Sequence, residues 1–421
     1  MSGLRVSVLF RPHSSSVGAS DMEAAGGRQV LSRSARALIM LFRVAALSGG
    51  PGCRSSLYAA AHYGFNTLTT VLTVSKHVGM GLWLLRSGSG WMRAILTSYG
   101  FGTIVGAAWA TLTLTFARGR RRCGALLVRL PPLLREEAEL TRLWAPERAA
   151  RRQTGWWLWL VVVLPPLATI SLSATDTNLV SSCITRPDAG GCAAATLRRI
   201  AFTITFSTFQ LVPVKFLFVA RQLEGGLDAL NAGLAGVLSE PAHCLSDHIQ
   251  HLRGFQKLLS ASLKEMMAAM GAELILSMMY GVLIQVSLCL LLANALQFGT
   301  GTFALLISAV LFVGAAVCLV APCEACQRLL GRLEHCSHLL LQLEEQCPEQ
   351  LRHDVTLLQK KAVEDTGCLG DLGLFRLRRS TLLSIFSTIL TYIIVMVQFH
   401  LSEEKAAEAM CNTSTDTVPM Q

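Results

Sequence analysis

The segment from Ser380 to Leu401, STLLSIFSTILTYIIVMVQFHL, contains no Asp, Glu, Lys or Arg. As a helix rising about 1.5 Å per residue it is long enough to cross a hydrocarbon core roughly 30 Å thick. A run of this length and polarity leaves few folds open, because lipid cannot hydrogen-bond an exposed backbone. Arg376, Arg378 and Arg379 stand at its entrance, and basic residues flank the cytosolic end of a span. The chain is therefore expected to cross a membrane here, running from inside to outside.

Composition agrees with lipid as the solvent. The chain is 52% hydrophobic and 15% charged, where a soluble protein carries about a quarter charged residues. The net charge of +10 does not point to nucleic acid, because the arginines lie in blocks between apolar segments without interleaved aromatics. The thirteen cysteines are scattered and do not form a disulfide framework. Residues 1 to 20 have no long apolar stretch, so no cleavable signal peptide is expected. Nor does any phosphate loop, catalytic elbow or carboxylate pair stand in a plausible site, and no enzymatic activity is expected.

Taken in order, residues 1–56 read as a cytosolic arm whose apolar part, Leu38 to Ser48, is too short to span and lies along the inner interface. Six spans are expected across 57–321: Leu57–Leu85, Ala94–Phe116, Trp156–Leu172, Ile200–Ala220, Ala268–Leu296 and Thr302–Ala321. The first is diluted by His62, Asn66, Lys76 and His77, which must face protein or water or sit near an end. Pro165, Pro166 and Pro213 mark kinks. Lys215 lies near a cytosolic end, where it can snorkel. It can also pair with Glu273, itself equally at home as a solvated carboxylate.

Residues 322–379 leave the membrane again. Leu329, Leu333, Cys336, Leu340 and Leu343 recur at spacings of four and three, which is a helix with one apolar seam in need of a partner helix. Cys323-x-x-Cys326, followed by His335 and His338, matches no zinc-site spacing, and no metal or cofactor is expected. The seventh span is 380–401, and 402–421 form an outer tail. Its Asn412-Thr413-Ser414 is a glycosylation acceptor usable only outside the cell. Cys183 and Cys192, in the one sizeable outer loop, either close a short disulfide or stand as unrelated thiols.

Seven spans put the termini on opposite faces. With the N-terminus inside, the cytosolic segments hold 29 Lys and Arg and the outer segments 6, the asymmetry that orients a membrane protein. A G-protein-coupled receptor has the opposite orientation, and its aspartate-arginine-tyrosine and asparagine-proline motifs are absent from the expected spans. A transporter reading lacks the internal symmetry of repeated halves. The fold class is thus all-α, a polytopic protein with seven transmembrane helices, a cytosolic N-terminus and a cytosolic helical region before the last span.

Within that last span, Thr391-Tyr392 is followed by five apolar residues and then Gln398-Phe399. This pattern resembles the signature of the insect-type gustatory receptors, as does the approach GLFRLRRSTLLSI. The resemblance implies a taste receptor that is a ligand-gated, non-selective cation channel in the plasma membrane of sensory neurons. It further implies a homo- or hetero-tetramer with other gustatory receptors, a cytosolic anchor that includes the Leu329–Leu343 seam, and a small-molecule tastant bound among spans two to six. Sugar receptors usually carry an acidic residue after the Thr-Tyr pair. Ile393 stands there instead, which favours bitter or unassigned tastants.

Thr391, Ile394, Val395 and Gln398 recur at i, i+3, i+4 and i+7, so they share one helix face. That stripe suits a pore wall or helix packing. The resemblance assigns Thr391, Ile394, Val395, Gln398 and Phe399 to the pore and gate and leaves Tyr392 as a packing anchor. It assigns no ligand-binding residue.

Overall fold

A computed structural model of the chain describes residues 32–49, 53–86, 101–145, 189–239, 245–298, 302–373 and 376–415, with five further positions between 158 and 167. The described residues are almost entirely helical. In chain order they form α1 (Arg33–Val44), α2 (Cys53–Arg86), α3 (Phe101–Leu114), a π-helical turn (Thr115–Gly119) and α4 (Arg120–Trp144), followed by α5 (Ala189–Leu238), α6 (Leu245–Phe298), α7 (Thr302–Gln346), α8 (Glu349–Cys368) and α9 (Arg379–Thr415).

Three of these helices are long and apolar enough to cross a membrane, within Cys192–Ser239, Ser246–Cys289 and Phe312–Gln346, and α9 holds a shorter apolar stretch, Arg379–Val395. With 50 residues in α5 and 54 in α6, each helix is about 75 to 80 Å long. That is more than twice the hydrocarbon thickness, so each must continue far beyond the bilayer as an arm. The expected third span lies largely outside the described residues. The expected end of the fourth span, start of the fifth and end of the sixth are not helix ends, because α5 runs on past Ala220, α6 begins at Leu245 and α7 runs through Pro322.

Helices α5, α6 and α7 pack against one another as the central bundle; α8 lies on α6 and α7, α9 on the same two, α3 on α6, and α2 on α3 and α5. The seam foreseen on α7 is fully enclosed: Leu329, Leu333, Cys336, Leu340 and Leu343 are all buried. Its partners are supplied by the same chain. From α8 come Val355, Leu358 and Ala362, one buried stripe at i, i+3 and i+7, and on the α5 side Asn231 donates from Nδ2 to the Arg332 carbonyl at 3.0 Å.

A polar ladder fixes the register of α8 on the α6 arm. Arg253 pairs with Asp354 at 2.6 Å, Gln256 donates to the Leu358 carbonyl, Ser260 to Asp365 at 2.8 Å, and Lys264 pairs with Glu364 at 2.6 Å. From the Arg253 rung to the Ser260 and Lys264 rungs the residue numbers rise on both sides, so the two helices run parallel. The arms are therefore held by both an apolar seam and a specific set of hydrogen bonds.

The N-terminal apolar segment is more than an interfacial strip. Ser32 caps α1 through its hydroxyl, and Ala35, Leu38 and Phe42 form a buried face. Phe42 meets Phe218 of α5 edge to face, with 6.0 Å between ring centroids. Met40 and Val44 stay exposed, so α1 is amphipathic but docked on the bundle. At the other end of the chain, α9 does not stop at Leu401. Ser402-Glu-Glu-Lys-Ala-Ala-Glu-Ala is rich in strong helix formers, and the helix continues to Thr415 through Asn412.

Candidate functional site

The turn that delivers the chain into α9 is tightly built. Gly370 adopts φ +73°, a left-handed conformation open to glycine, and its carbonyl accepts from the Leu377 amide at 2.8 Å. Arg379, first residue of α9, then forks onto Glu324 of α7: Nε reaches Oε2 at 3.0 Å and Nη2 reaches Oε1 at 2.8 Å. Two parallel bonds fix direction as well as distance. The basic entrance seen in the sequence thus tethers the last helix to the bundle.

From that tether, α9 presents one face inward. Leu382 and Ile389 are buried, with Ile385 and Ile393 partly so and packed against the core. The candidate stripe is turned elsewhere. Thr391, Ile394, Val395 and Gln398 are all exposed, as is Tyr392 at 60%. Thr391 donates to the Ser387 carbonyl one turn back, at 2.9 Å, a bond that satisfies its hydroxyl without a neighbour. Packing within the chain accordingly uses a different face from the polar stripe. The side chains of Phe399 and Asn412 lie outside the described residues.

A second polar group sits in the bundle, and there the polarity is sealed in. Lys215 of α5 and Glu273 of α6 are 0% and 2% exposed, and the ammonium donates to the carboxylate at 2.7 Å. Lys215 does not snorkel, and Glu273 is not a solvated headgroup-level carboxylate. Gly119, the last residue of the π-helical turn after α3, lies against the same carboxylate, and a Cβ there would collide with Glu273 Oε1. One additional residue per turn is what a π-turn introduces, and here it carries the chain past the carboxylate into α4. Oε1 has no hydrogen-bond partner. The node therefore joins three helical segments through one ion pair and one close backbone approach.

Several polar groups of α2, α3 and the π-helical turn are satisfied within their own helical run. Thr69, Thr73, Thr111, Thr113 and Thr115 donate to carbonyls four residues back, the usual solution inside a membrane helix. Asn66 does the same to His62, whose ring lies between Tyr58 and Phe116. The diluting residues of the first expected span are in this way partly absorbed by the fold. Cys323 and Cys326 are buried free thiols in α7. Cys192 is disulfide-bonded, while Cys183 lies outside the described residues.

The sequence raised the Lys215–Glu273 contact as one of two possibilities but missed Gly119. Nothing local marks a glycine beside an arginine block as the neighbour of a carboxylate more than 150 residues away. The ladder between α6 and α8 was also hidden, for the same reason.

No curated protein matches the chain by sequence. Among solved structures, the insect olfactory receptor OR5 from Machilis hrabei is similar with a TM-score of 0.64 and 13% identity, over 86% of this chain and 97% of that one. The structure of the same receptor in complex with eugenol gives a TM-score of 0.57 at 12% identity, over 90% of this chain and 99% of that one. At such identity the likeness establishes the fold alone. The sequence profile of the 7tm Chemosensory receptor family matches residues 147–403, more than half of the chain and including the candidate stripe of α9. The chain is a multi-pass membrane protein that belongs to the insect chemosensory receptor family.

Proposed function

We propose that the chain is a subunit of a ligand-gated, non-selective cation channel of the gustatory class. The observation that carries this reading is the Thr391-Tyr392 to Gln398-Phe399 motif on a helix whose polar stripe faces away from its own bundle. A helix that turns Thr391 and Gln398 outward places them against lipid in an isolated subunit; the Thr391 hydroxyl is satisfied by its own helix, but the Gln398 amide there is unfavourable. Copies arranged around an axis remove them from lipid and give them a water-filled path to line. Four subunits form that axis, with Gln398 and Phe399 near the outer mouth and Tyr392 packing against a neighbouring subunit.

In this reading the chain makes seven spans with its N-terminus in the cytosol, and Cys183 and Cys192 close a loop on the outer face. The receptor resides in the plasma membrane of sensory neurons. The ligand is a small organic tastant of the bitter or unassigned kind. The solved receptor named above is olfactory, and one of its two structures is in complex with eugenol, so a small phenol belongs among the candidate stimuli. The gustatory motif favours taste over smell.

The test is expression in cells carrying a calcium reporter, challenged with alkaloids, glucosides, sugars and eugenol, together with current recording. A stimulus-evoked cation current that follows within milliseconds and needs no G protein supports the reading. Phe399→Ala is expected to raise the current without stimulus. A response abolished by blocking G proteins, or an N-terminal tag stained on intact cells, would overturn it.

A further inference from the structure

We propose that Glu136, Glu139 and His251 form a site for a divalent transition-metal ion of the Zn2+ type, clasping α4 to the arm of α6. Glu136 and Glu139 stand one turn apart on α4, and His251 lies on α6. One ligand atom from each residue comes within 4.8 Å of the others. Glu136 Oε2 and His251 Nε2 are 3.2 Å apart. Two ligands held at about 2.0 to 2.1 Å in a tetrahedron stand about 3.3 Å apart, so this edge of a coordination shell is already close to its final length.

A surface ion pair accounts for only part of the arrangement. His251 meets Glu136 across a single hydrogen bond, but Glu139 is brought to the same point, and like charges one turn apart on a helix repel. Among the described residues, Glu139 forms no ion pair with Lys or Arg. A dication would neutralise both carboxylates at once. The donor set, one nitrogen and two carboxylate oxygens with a fourth position left to water, suits Zn2+ or a neighbouring first-row ion better than Mg2+ or Ca2+, which take more oxygens and no imidazole.

The location is suited to a clasp. Along α4, Arg122 reaches the Ala268 carbonyl at 2.8 Å, Arg129 pairs with Glu265 at 2.7 Å, and Glu136 meets His251. These α4 residues recur every seven positions, so one face of the helix follows α6 for its whole length. A bound ion would add the strongest rung, farthest from the Lys215–Glu273 node. The site needs no assumption about the stimulus or about conduction.

Detergent-purified full-length protein, stripped with a chelator, would be titrated with Zn2+ and separately with Co2+. The expected result is one more bound equivalent per chain in the wild type than in His251→Ala or Glu139→Gln. Zn2+ affinity at this site should fall at least about tenfold in either variant. Co2+ should give weak visible bands that disappear in the variants, without the thiolate charge-transfer absorption that a cysteine site would add. The variants are accepted for comparison when they elute as the wild type does; Glu139→Gln, a surface change, provides that control. Equal stoichiometry and unchanged Co2+ spectra in wild type and both variants would overturn the site.

Discussion

Lys215 with Glu273, and the Thr391 to Gln398 stripe, are both polar features of otherwise apolar helices, and the fold treats them in opposite ways. The ion pair is enclosed by α5, α6 and the π-turn and is sealed from solvent. The stripe of α9 faces outward, while Leu382 and Ile389 on the other side of the same helix pack into the bundle. The difference separates polarity that belongs to the single subunit from polarity that needs something outside it. Changes at the node should disturb folding of the subunit, and changes on the stripe should leave the subunit intact and alter what it does.

The largest effect is expected at the node. Lys215→Met or Glu273→Leu alone leaves a buried charge without its partner, at a cost of about 3 to 5 kcal/mol. Each single variant should show a sharp loss of monodisperse, surface-expressed protein. The double variant, with two apolar side chains of similar size, should recover most of it. If the double variant is no better than the singles, the pair is not the interaction that matters there.

Gly119→Ala tests the same node from the backbone side. The added methyl would meet the Glu273 carboxylate, and overpacking of this kind costs about 1 to 3 kcal/mol. A fall in thermal stability, smaller than that of the charge variants, is the expected outcome. An unchanged melting profile would mean that the π-turn yields to make room, weakening the contrast between a rigid node and an outward-facing stripe.

The smallest effect belongs to the arms. Burial pushes the Asp365 carboxyl above the ordinary carboxylate range, against the opposing pull of the Ser260 hydroxyl and nearby lysines. A group with a raised folded value contributes stability below its unfolded value, about 3.9 for Asp. That stability is lost as pH rises through the folded one. At neutral pH the charged carboxylate is thus a burden. Asp365→Asn keeps an oxygen for Ser260 and should be slightly more stable than wild type at pH 7, with the gap closing as the pH is lowered. Thermal unfolding at several pH values reads this directly; a gap that widens on acidification would contradict the sign.

How much of this the sequence carried depends on the range of each signal. The Leu329–Leu343 seam was legible because spacing of three and four within one helix reports the buried face without reference to the partner. The helix over the last apolar segment was legible because an uncharged run of that length has few other ways to satisfy its backbone. The merging of spans with their arms was less visible: hydropathy falls at Arg221 and Pro322, but the helix does not end there. The contacts of Gly119 with Glu273, and of Glu136 with His251, join residues far apart in sequence, and no local pattern encodes them. The stripe on α9 was visible as a face, yet its direction depends on where Arg379 ties the helix to Glu324, which only the folded chain defines.

The most direct measurement of the central claim is cysteine accessibility along α9 during stimulation. Cysteines would be placed singly at Thr391, Ile394, Val395 and Gln398 and, for comparison, at Leu382 and Ile389, and currents recorded while a charged, water-soluble thiol reagent is applied. Channels with a cysteine on the stripe should be blocked or altered by the reagent, faster when the channel is open, whereas those with a cysteine on the packed face should not respond beyond the unmodified background. Stripe positions that remain insensitive in channels still answering their stimulus, or reactivity confined to Leu382 and Ile389, would show that the conduction path does not run along this face of the last helix.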